Sequence, residues 1–338
     1  MKILVTGGLG YIGSHTVVKL LQDGFDVVVI DNLINSSLKA LERIKFITNK
    51  NLSFYKGDVG NRELLKNIFS HHDIDCVVHF AALKSVSESN LQPLQYYDCN
   101  VSSTLSLLQE MRISNVNNFI FSSSATVYGG NNQTMPLTEC SQIGDTTNPY
   151  GTSKYFVELI LKDLAHVDKE INIKVLRYFN PVGAHPSGMI GESPAGIPNN
   201  LVPYVADVAI GKREYINVFG GDYPTPDGTG LRDYIHVEDL AQGHLDAIKR
   251  LKVCRVMEIF NLGTGKAYSV LDVINTFKKI SGEDIKYKIV ERRPGDIAEC
   301  WADTTKAEKL LNWKAIKSFD DMIADTWKWK TQNPDGYA

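Results

Sequence analysis

Tyr150 and Lys154 are four residues apart in a stretch of helical periodicity, which sets both side chains on one face of a helix. An ammonium beside a phenol favours the phenolate, and a phenolate available near neutral pH removes a proton from an alcohol. Ser124 follows the apolar run Phe119 to Ser122 and offers a hydroxyl that can share a hydrogen bond with the alcohol whose proton is moving. Alone, a tyrosine and a lysine at this spacing are a surface pair on any amphipathic helix. Their chemistry depends on what the neighbouring elements bring beside them.

Those elements begin at the first residues. Lys2 to Thr6 reads as a buried parallel strand, and Gly7, Gly10 and Gly13 follow in GxxGxxG spacing, with Tyr11 and Ile12 in the turn and a helix from Ser14 to Asp23. Gly7 takes a turn conformation closed to larger residues, Gly10 admits a pyrophosphate to the backbone, and Gly13 lets helix and strand pack closely. A second strand, Asp26 to Ile30, ends at Asp31, where a dinucleotide fold places the acid for the adenosine ribose. Because Asp31 repels a 2′-phosphate, NAD is expected over NADP. The positive nicotinamide ring is then a second charge favouring the phenolate.

Strands and helices alternate to about residue 180, the pattern of an α/β fold with a Rossmann-type doubly wound parallel sheet. Strands are predicted at Leu52 to Lys56 and Asp75 to Phe80, and helices at Arg62 to Ser70 and Leu94 to Met111, the latter carrying Asn100. Ligands in such sheets lie outside the carboxyl ends of the strands, so Asp58 and the Phe80 to Lys84 segment are expected to face the cofactor. Pro181 to Pro203 is rich in Gly, Pro and Asn and opens a smaller, mixed α/β substrate lobe. The expected division is 1–180 for the NAD-binding domain and 181–338 mainly for the substrate domain, with a helix at 237–251 returning to the first. Beyond that helix short helices and loops are expected, with Trp313, Trp327 and Trp329 as core anchors.

A net charge of -3 offers no basic field for nucleic acid or an anionic membrane, and no apolar run is long enough to span a bilayer. The chain enters a core strand without the charged and apolar regions of a signal peptide, so a cytoplasmic location is expected. Cys76, Cys99, Cys140, Cys254 and Cys300 are odd in number and lack CxxC spacing, which points to neither a disulfide framework nor a metal site.

Gly7 to Gly13 together with Ser124, Tyr150 and Lys154 resembles the extended short-chain dehydrogenases/reductases. Within them, Asp31 to Leu33, His79 to Ala81, Ser122 to Tyr128, Arg177 to His185, Gly196 to Pro203, Gly228 to Val237, Asn261 to Gly263 and Arg292 to Asp303 are similar to the UDP-glucose 4-epimerase family, nearly end to end. The resemblance implies that Tyr150 takes the proton of the sugar 4-hydroxyl while C4 passes a hydride to tightly bound NAD. The 4-keto sugar turns over in the pocket and receives the hydride on its other face. It further implies cofactor contacts at Asn32, Leu33, Asn35, Ser36, Asp58, Val59, Phe80, Ala81, Ala82, Lys84, Asn100, Ser122, Tyr178 and Phe179. Implied UDP-hexose contacts are Lys84, Ser124, Ala125, Thr126, Asn180, Asn200, Leu201, Asn217, Val218, Phe219, Arg232, Tyr234, Val270, Arg293, Asp296 and Cys300. Arg232 and Arg293 suit a diphosphate, since forked guanidinium donors match its oxygens, although either residue by itself reads equally as half of a surface salt bridge.

The resemblance also implies a homodimer, with the helices around Tyr96 to Met111 and Tyr150 to Leu164 at its interface; in the sequence their apolar faces read equally as internal core. Two departures stand out: Ala82 replaces a frequent glycine, and Cys99 an asparagine, leaving Asn100 as the better cofactor contact. In the family a tyrosine at the position of Cys300 restricts the sugar pocket. A thiol there implies room for a 2-acetamido group, hence UDP-GlcNAc/UDP-GalNAc beside UDP-glucose/UDP-galactose. Two other classes stay open: a sugar-nucleotide oxidoreductase or dehydratase, and a non-enzymatic dinucleotide sensor. Ala125, Thr126 and Val127 stand where 4,6-dehydratases carry an acidic pair, which weighs against dehydration.

Overall fold

The computed structural model describes every residue except 131, 132, 195, 197, 199, 254, 255 and 294, so Cys254 lies outside the described residues. Among the described residues thirteen strands form, in chain order β1 (Lys2–Thr6), β2 (Asp26–Asp31), β3 (Ser53–Lys56), β4 (Cys76–His79), β5 (Asn118–Ser124), β6 (Asn172–Tyr178), β7 (Asn180–Val182), β8 (Ile216–Phe219), β9 (Leu231–His236), β10 (Glu258–Leu262), β11 (Ala267–Ser269), β12 (Tyr287–Val290) and β13 (Glu299–Cys300). Seven of them make one sheet in the order β10-β6-β5-β4-β1-β2-β3. All its pairings are parallel. The chain runs outward from β1 in one direction and from β4 in the other. The crevice between β1 and β4 is therefore the switch point where such sheets bind ligands.

Both faces of this sheet are dry, which is why its strands are continuous apolar runs. Successive side chains of a strand point to opposite faces. Thus Ile3 and Val5 join a core with the helices Tyr11–Gln22 and Val237–Arg250, while Leu4 joins another with Arg62–His71, Ser103–Ile113 and Pro149–Val167. The helix Val237–Arg250 packs on Tyr11–Gln22, and Lys19 pairs with Glu238 at 3.4 Å. Among the described residues no helix is long and apolar enough to cross a membrane.

Two expectations are corrected here. The helix expected over Leu94 to Met111 is three pieces, Pro93–Tyr97, a wider π-helical turn Asp98–Ser102, and Ser103–Ile113. Such turns insert a residue into the helical ladder and accompany functional sites. The stretch beyond residue 251 holds four strands and the long helix Phe319–Gln332, rather than short helices and loops alone. Its strand β10 completes the large sheet beside β6. Strands of two to five residues carry too little periodicity to be read locally. A smaller sheet combines β11, β9 and β13 with β7 beside β9, and β8 pairs β12. Trp313 and Trp329 are buried, and Trp327 packs partly buried against the core of this second region.

Candidate active site

At the carboxyl end of β1, Gly7 has φ +66°, and a Cβ on Gly13 would stand 2.2 Å from the Gly7 carbonyl oxygen. Only glycine permits this approach of the helix Tyr11–Gln22 to the turn. Its N-cap is Gly10, without a side-chain cap, so the first-turn N–H groups remain available to an anion. Asp31 ends β2 and anchors the loop: its carboxylate accepts from Leu9 N at 2.9 Å, Leu33 N at 2.9 Å and Ser36 Oγ at 2.7 Å. Asn32 donates to Asp58 at 2.8 Å, linking the ends of β2 and β3.

One cleft is lined by Gly7, Gly10, Tyr11, Ile12, Gly13, Asp31, Asn32, Asn35, Ser36, Asp58, Val59, Phe80, Ala81, Ala82, Lys84, Tyr150, Lys154 and Tyr178. A glycine cradle, a helix N-terminus and an acid at the end of β2 in one groove fit a dinucleotide. Four residues expected to touch it are not in that lining: Leu33, Asn100, Ser122 and Phe179. Asn100 is 3% exposed and its amide is spent on Leu83 N at 2.8 Å, Leu83 O at 3.0 Å and Ser153 Oγ at 2.9 Å. It shapes the loop leading to Lys84 from beneath. The Ser122 hydroxyl bonds His244 at 2.8 Å, Phe179 is buried, and Leu33 packs against the core. Cys99 does line the cleft.

Tyr150 sits in the first turn of the helix Pro149–Val167, which Asn148 caps by accepting from Gly151 N at 2.9 Å. Burial raises the Tyr150 phenol above its usual range, while hydrogen bonding by Ser124 and the charge of Lys84 pull it down. The charge of Lys84 thus bears on the phenol alongside the expected partner Lys154, which lines the same cleft. Lys154 Nζ donates to the Ser122 carbonyl at 2.8 Å and lies 4.9 Å from the Phe121 ring centre, with burial lowering its pKa to about 8. Thr126, beside this helix, has a buried hydroxyl with no hydrogen-bond partner among the described residues.

The remaining residues expected to touch the substrate lie on the second region. Val218, on β8, and Tyr234, on β9, are buried in its core, with Leu201 and Val270 packed against them. Asn180 starts β7, Asn200 caps the helix Leu201–Ala209, and Asn217 and Phe219 lie on β8. Arg293 pairs with Asp296 at 2.9 Å and lies 4.7 Å from the Phe219 ring centre. Arg232 donates to the Leu231 and Ile297 carbonyls at 2.9 and 3.0 Å. Cys300 is Arg232's partner across β13 and β9, packs with Ala125 against the cluster containing Phe179, and has its thiol pushed up to about 11 by burial.

Three residues escape the sequence reading. Tyr223 is buried with a hydroxyl that has no partner among the described residues, its pKa raised by burial and Asp296 and lowered by Arg292, Arg232 and Arg293, so it sits amid the arginines. Its signal in the sequence is an aromatic inside the turn-forming stretch Gly220 to Pro224. Glu192 accepts from Lys84 at 3.0 Å and Asn200 at 3.1 Å. Glu158 accepts from Ser123 at 2.6 Å and pairs with Arg177 at 2.6 Å.

Fold and cleft together define a class, the extended short-chain dehydrogenases/reductases, in which a second region follows the dinucleotide sheet. The chain matches the family described as GDP-mannose 4,6 dehydratase over residues 4–326. A UDP-glucose 4-epimerase of Haemophilus influenzae is 57% identical over 337 residues, covering 100% of this chain and 99% of its own. The crystal structure of UDP-glucose 4-epimerase from Bifidobacterium longum in complex with NAD+ and UDP has a TM-score of 0.96 at 53% identity, covering 99% of this chain and 100% of that one. That of UDP-glucose-4-epimerase from Stenotrophomonas maltophila with bound NAD and formylated UDP-arabinopyranose has a TM-score of 0.96 at 47% identity, covering 99% of each. The chain belongs to the UDP-glucose 4-epimerase family.

Proposed function

We propose that this protein interconverts UDP-glucose and UDP-galactose by inverting C4, with NAD held in the cleft. The observation that carries the reading is the meeting of Tyr150 and Lys154 with the glycine loop and Asp31 in the lining of one groove. NAD, when bound, supplies a reversible hydride acceptor and a positive ring. Tyr150 takes the 4-hydroxyl proton and returns it after the sugar turns; Ser124 orients that hydroxyl. Lys154 adds positive charge within the cleft, held at the Ser122 carbonyl. Arg232, Arg293 and Asp296 hold the uridine diphosphate, so the hexose is free to present either face. Ala125, Thr126 and Val127 follow Ser124 without an acid, which favours epimerisation over the dehydration named by the family description.

Incubating the purified protein with UDP-galactose is expected to yield UDP-glucose, with a reduced-nicotinamide absorbance that stays with the protein. NADH released in stoichiometric amounts, or an unchanged C4 in protein that contains NAD, defeats the reading.

The pocket is further proposed to admit UDP-GlcNAc and UDP-GalNAc. Cys300 is smaller than the tyrosine that restricts the family's sugar pocket, and it packs with Ala125 against the cluster of Val127, Tyr128 and Phe179. Wild type is expected to turn over UDP-GalNAc, and Cys300→Tyr to lose at least about tenfold on it while keeping UDP-galactose turnover. Equal UDP-GalNAc turnover in the two proteins removes the proposal.

A further inference from the structure

Glu192 lies at the border of the cleft, in the segment after β7, far in sequence from the residue it binds. Its side chain is only 10% exposed, and one oxygen, Oε1, accepts both from Lys84 Nζ at 3.0 Å and from Asn200 Nδ2 at 3.1 Å. Lys84 follows β4 in the dinucleotide sheet, whereas Asn200 caps a helix of the second region. A single carboxylate thus joins a cofactor-side cation to a nucleotide-side amide. This is an unusual charge to keep beside a site for two anionic ligands. A partly buried negative group there repels phosphates and offsets whatever its lysine partner does to neighbours.

We propose that Glu192 is a positioning residue for the epimerase reaction, fixing the Lys84 ammonium at the cleft that Lys84 lines together with Tyr150. The inference rests on the function proposed above. Lys84 Nζ also stands 5.9 Å from the Tyr11 ring centre, and Tyr11 donates to the Gly183 carbonyl at 2.6 Å, so the ammonium sits in a fixed frame. The groups that bear on this pair are few. Tyr11 adjoins both Lys84 and Glu192, with Glu238 and Tyr337 acting on Tyr11. Lys84, Ser124 and Tyr178 act on or with Tyr150, and Lys154 shares its cleft. Among them Glu192 is the carboxylate bonded to the lysine that lowers the phenol. Its negative charge therefore weakens the pull of Lys84, tightens the pairing of lysine and glutamate, and raises the cost of seating UDP.

The test separates charge from scaffolding. Glu192→Gln keeps an oxygen that accepts from Lys84 and Asn200 but removes the charge. In the NAD-containing enzyme its acid limb of kcat/KM is expected to move down by on the order of half a pH unit, and UDP measured by calorimetry to bind about threefold tighter. Lys84→Met is expected to move the same limb upward, and Glu192→Gln added to it to change the limb no further. An acid limb that stays in place in Glu192→Gln, or moves up, overturns the assignment, because a merely structural role predicts no movement. If Glu192→Gln does not fold, the direction of the Lys84→Met shift decides, and no upward shift overturns it. Wild type that fails to epimerise UDP-galactose sinks the proposed function instead. Wild type that epimerises while the variants leave the limb unmoved sinks only the role of Glu192.

Discussion

Tyr150→Phe is expected to lower kcat by about 10³-fold while leaving the fold and NAD content intact. The argument begins with burial. The Tyr150 side chain is 7% exposed at the start of its helix, and Phe fills nearly the same volume in the same rotamer. Its hydroxyl interacts with Ser124, a single neutral contact, so its loss costs about 1 kcal/mol of stability or less. The chemistry loses everything the oxygen does. Burial raises the phenol's pKa, while the Ser124 hydroxyl and the Lys84 charge lower it. The active base form therefore grows as pH rises, and the wild-type acid limb belongs to this residue. Tyr150→Phe should show both a lower plateau and a flattened acid limb, measured by product formation from UDP-galactose across pH. A variant with full turnover, or one with low turnover but an unchanged acid limb, would place the base elsewhere.

What could be read in the sequence was whatever local spacing encodes. Gly7 and Gly13 announce their turn because backbone sterics disfavour any other residue type there, and the positive φ at Gly7 with the 2.2 Å approach at Gly13 bears that out. Tyr150 and Lys154 share a helix face because four residues make about one turn. Lys154's partner could not be read, since the Ser122 carbonyl it binds is set by how the helix docks on β5. Asn100 illustrates the same limit. Its protein partners could not be read either, since the π-helical turn that carries it directs both amide atoms into the Leu83 loop and Ser153. Glu192 and Tyr223 lay hidden for a different reason: each sits in a loop rich in turn formers, and only the packing of distant segments shows that Lys84 or the arginines are beside it. Short strands such as β10 depend on a partner already in the sheet, here β6, more than on their own pattern.

Glu158→Ala is expected to destabilise the protein by about 3–5 kcal/mol and to reduce turnover in the fraction that stays folded. Arg177 is 1% exposed, and its guanidinium meets Glu158 through Nε at 3.0 and 3.2 Å and through Nη2 at 2.6 Å. Removing the carboxylate leaves a cation in the core, with the Glu139 carbonyl and the Tyr128 ring as its remaining partners. It also strands the Ser123 hydroxyl, which donates to Glu158 at 2.6 Å. The position of the pair ties stability to chemistry. Glu158 lies one helical turn beyond Lys154, Arg177 opposes Ser123 across β6 and β5, and the next opposed pair is Tyr178 and Ser124. The ion pair therefore clamps the helix of Tyr150 to the strand ends that carry the site. Equilibrium urea unfolding with an unchanged m-value gives the stability loss, and a loss below about 1 kcal/mol would mean that Arg177 finds another counter-charge. The double variant Glu158→Leu with Arg177→Met is expected to recover most of that stability, because no buried charge is left alone. If the clamp sets the register of Tyr150 against Ser124, kcat stays low even in that restabilised protein, since an apolar pair packs without fixing the helix along the strand ends.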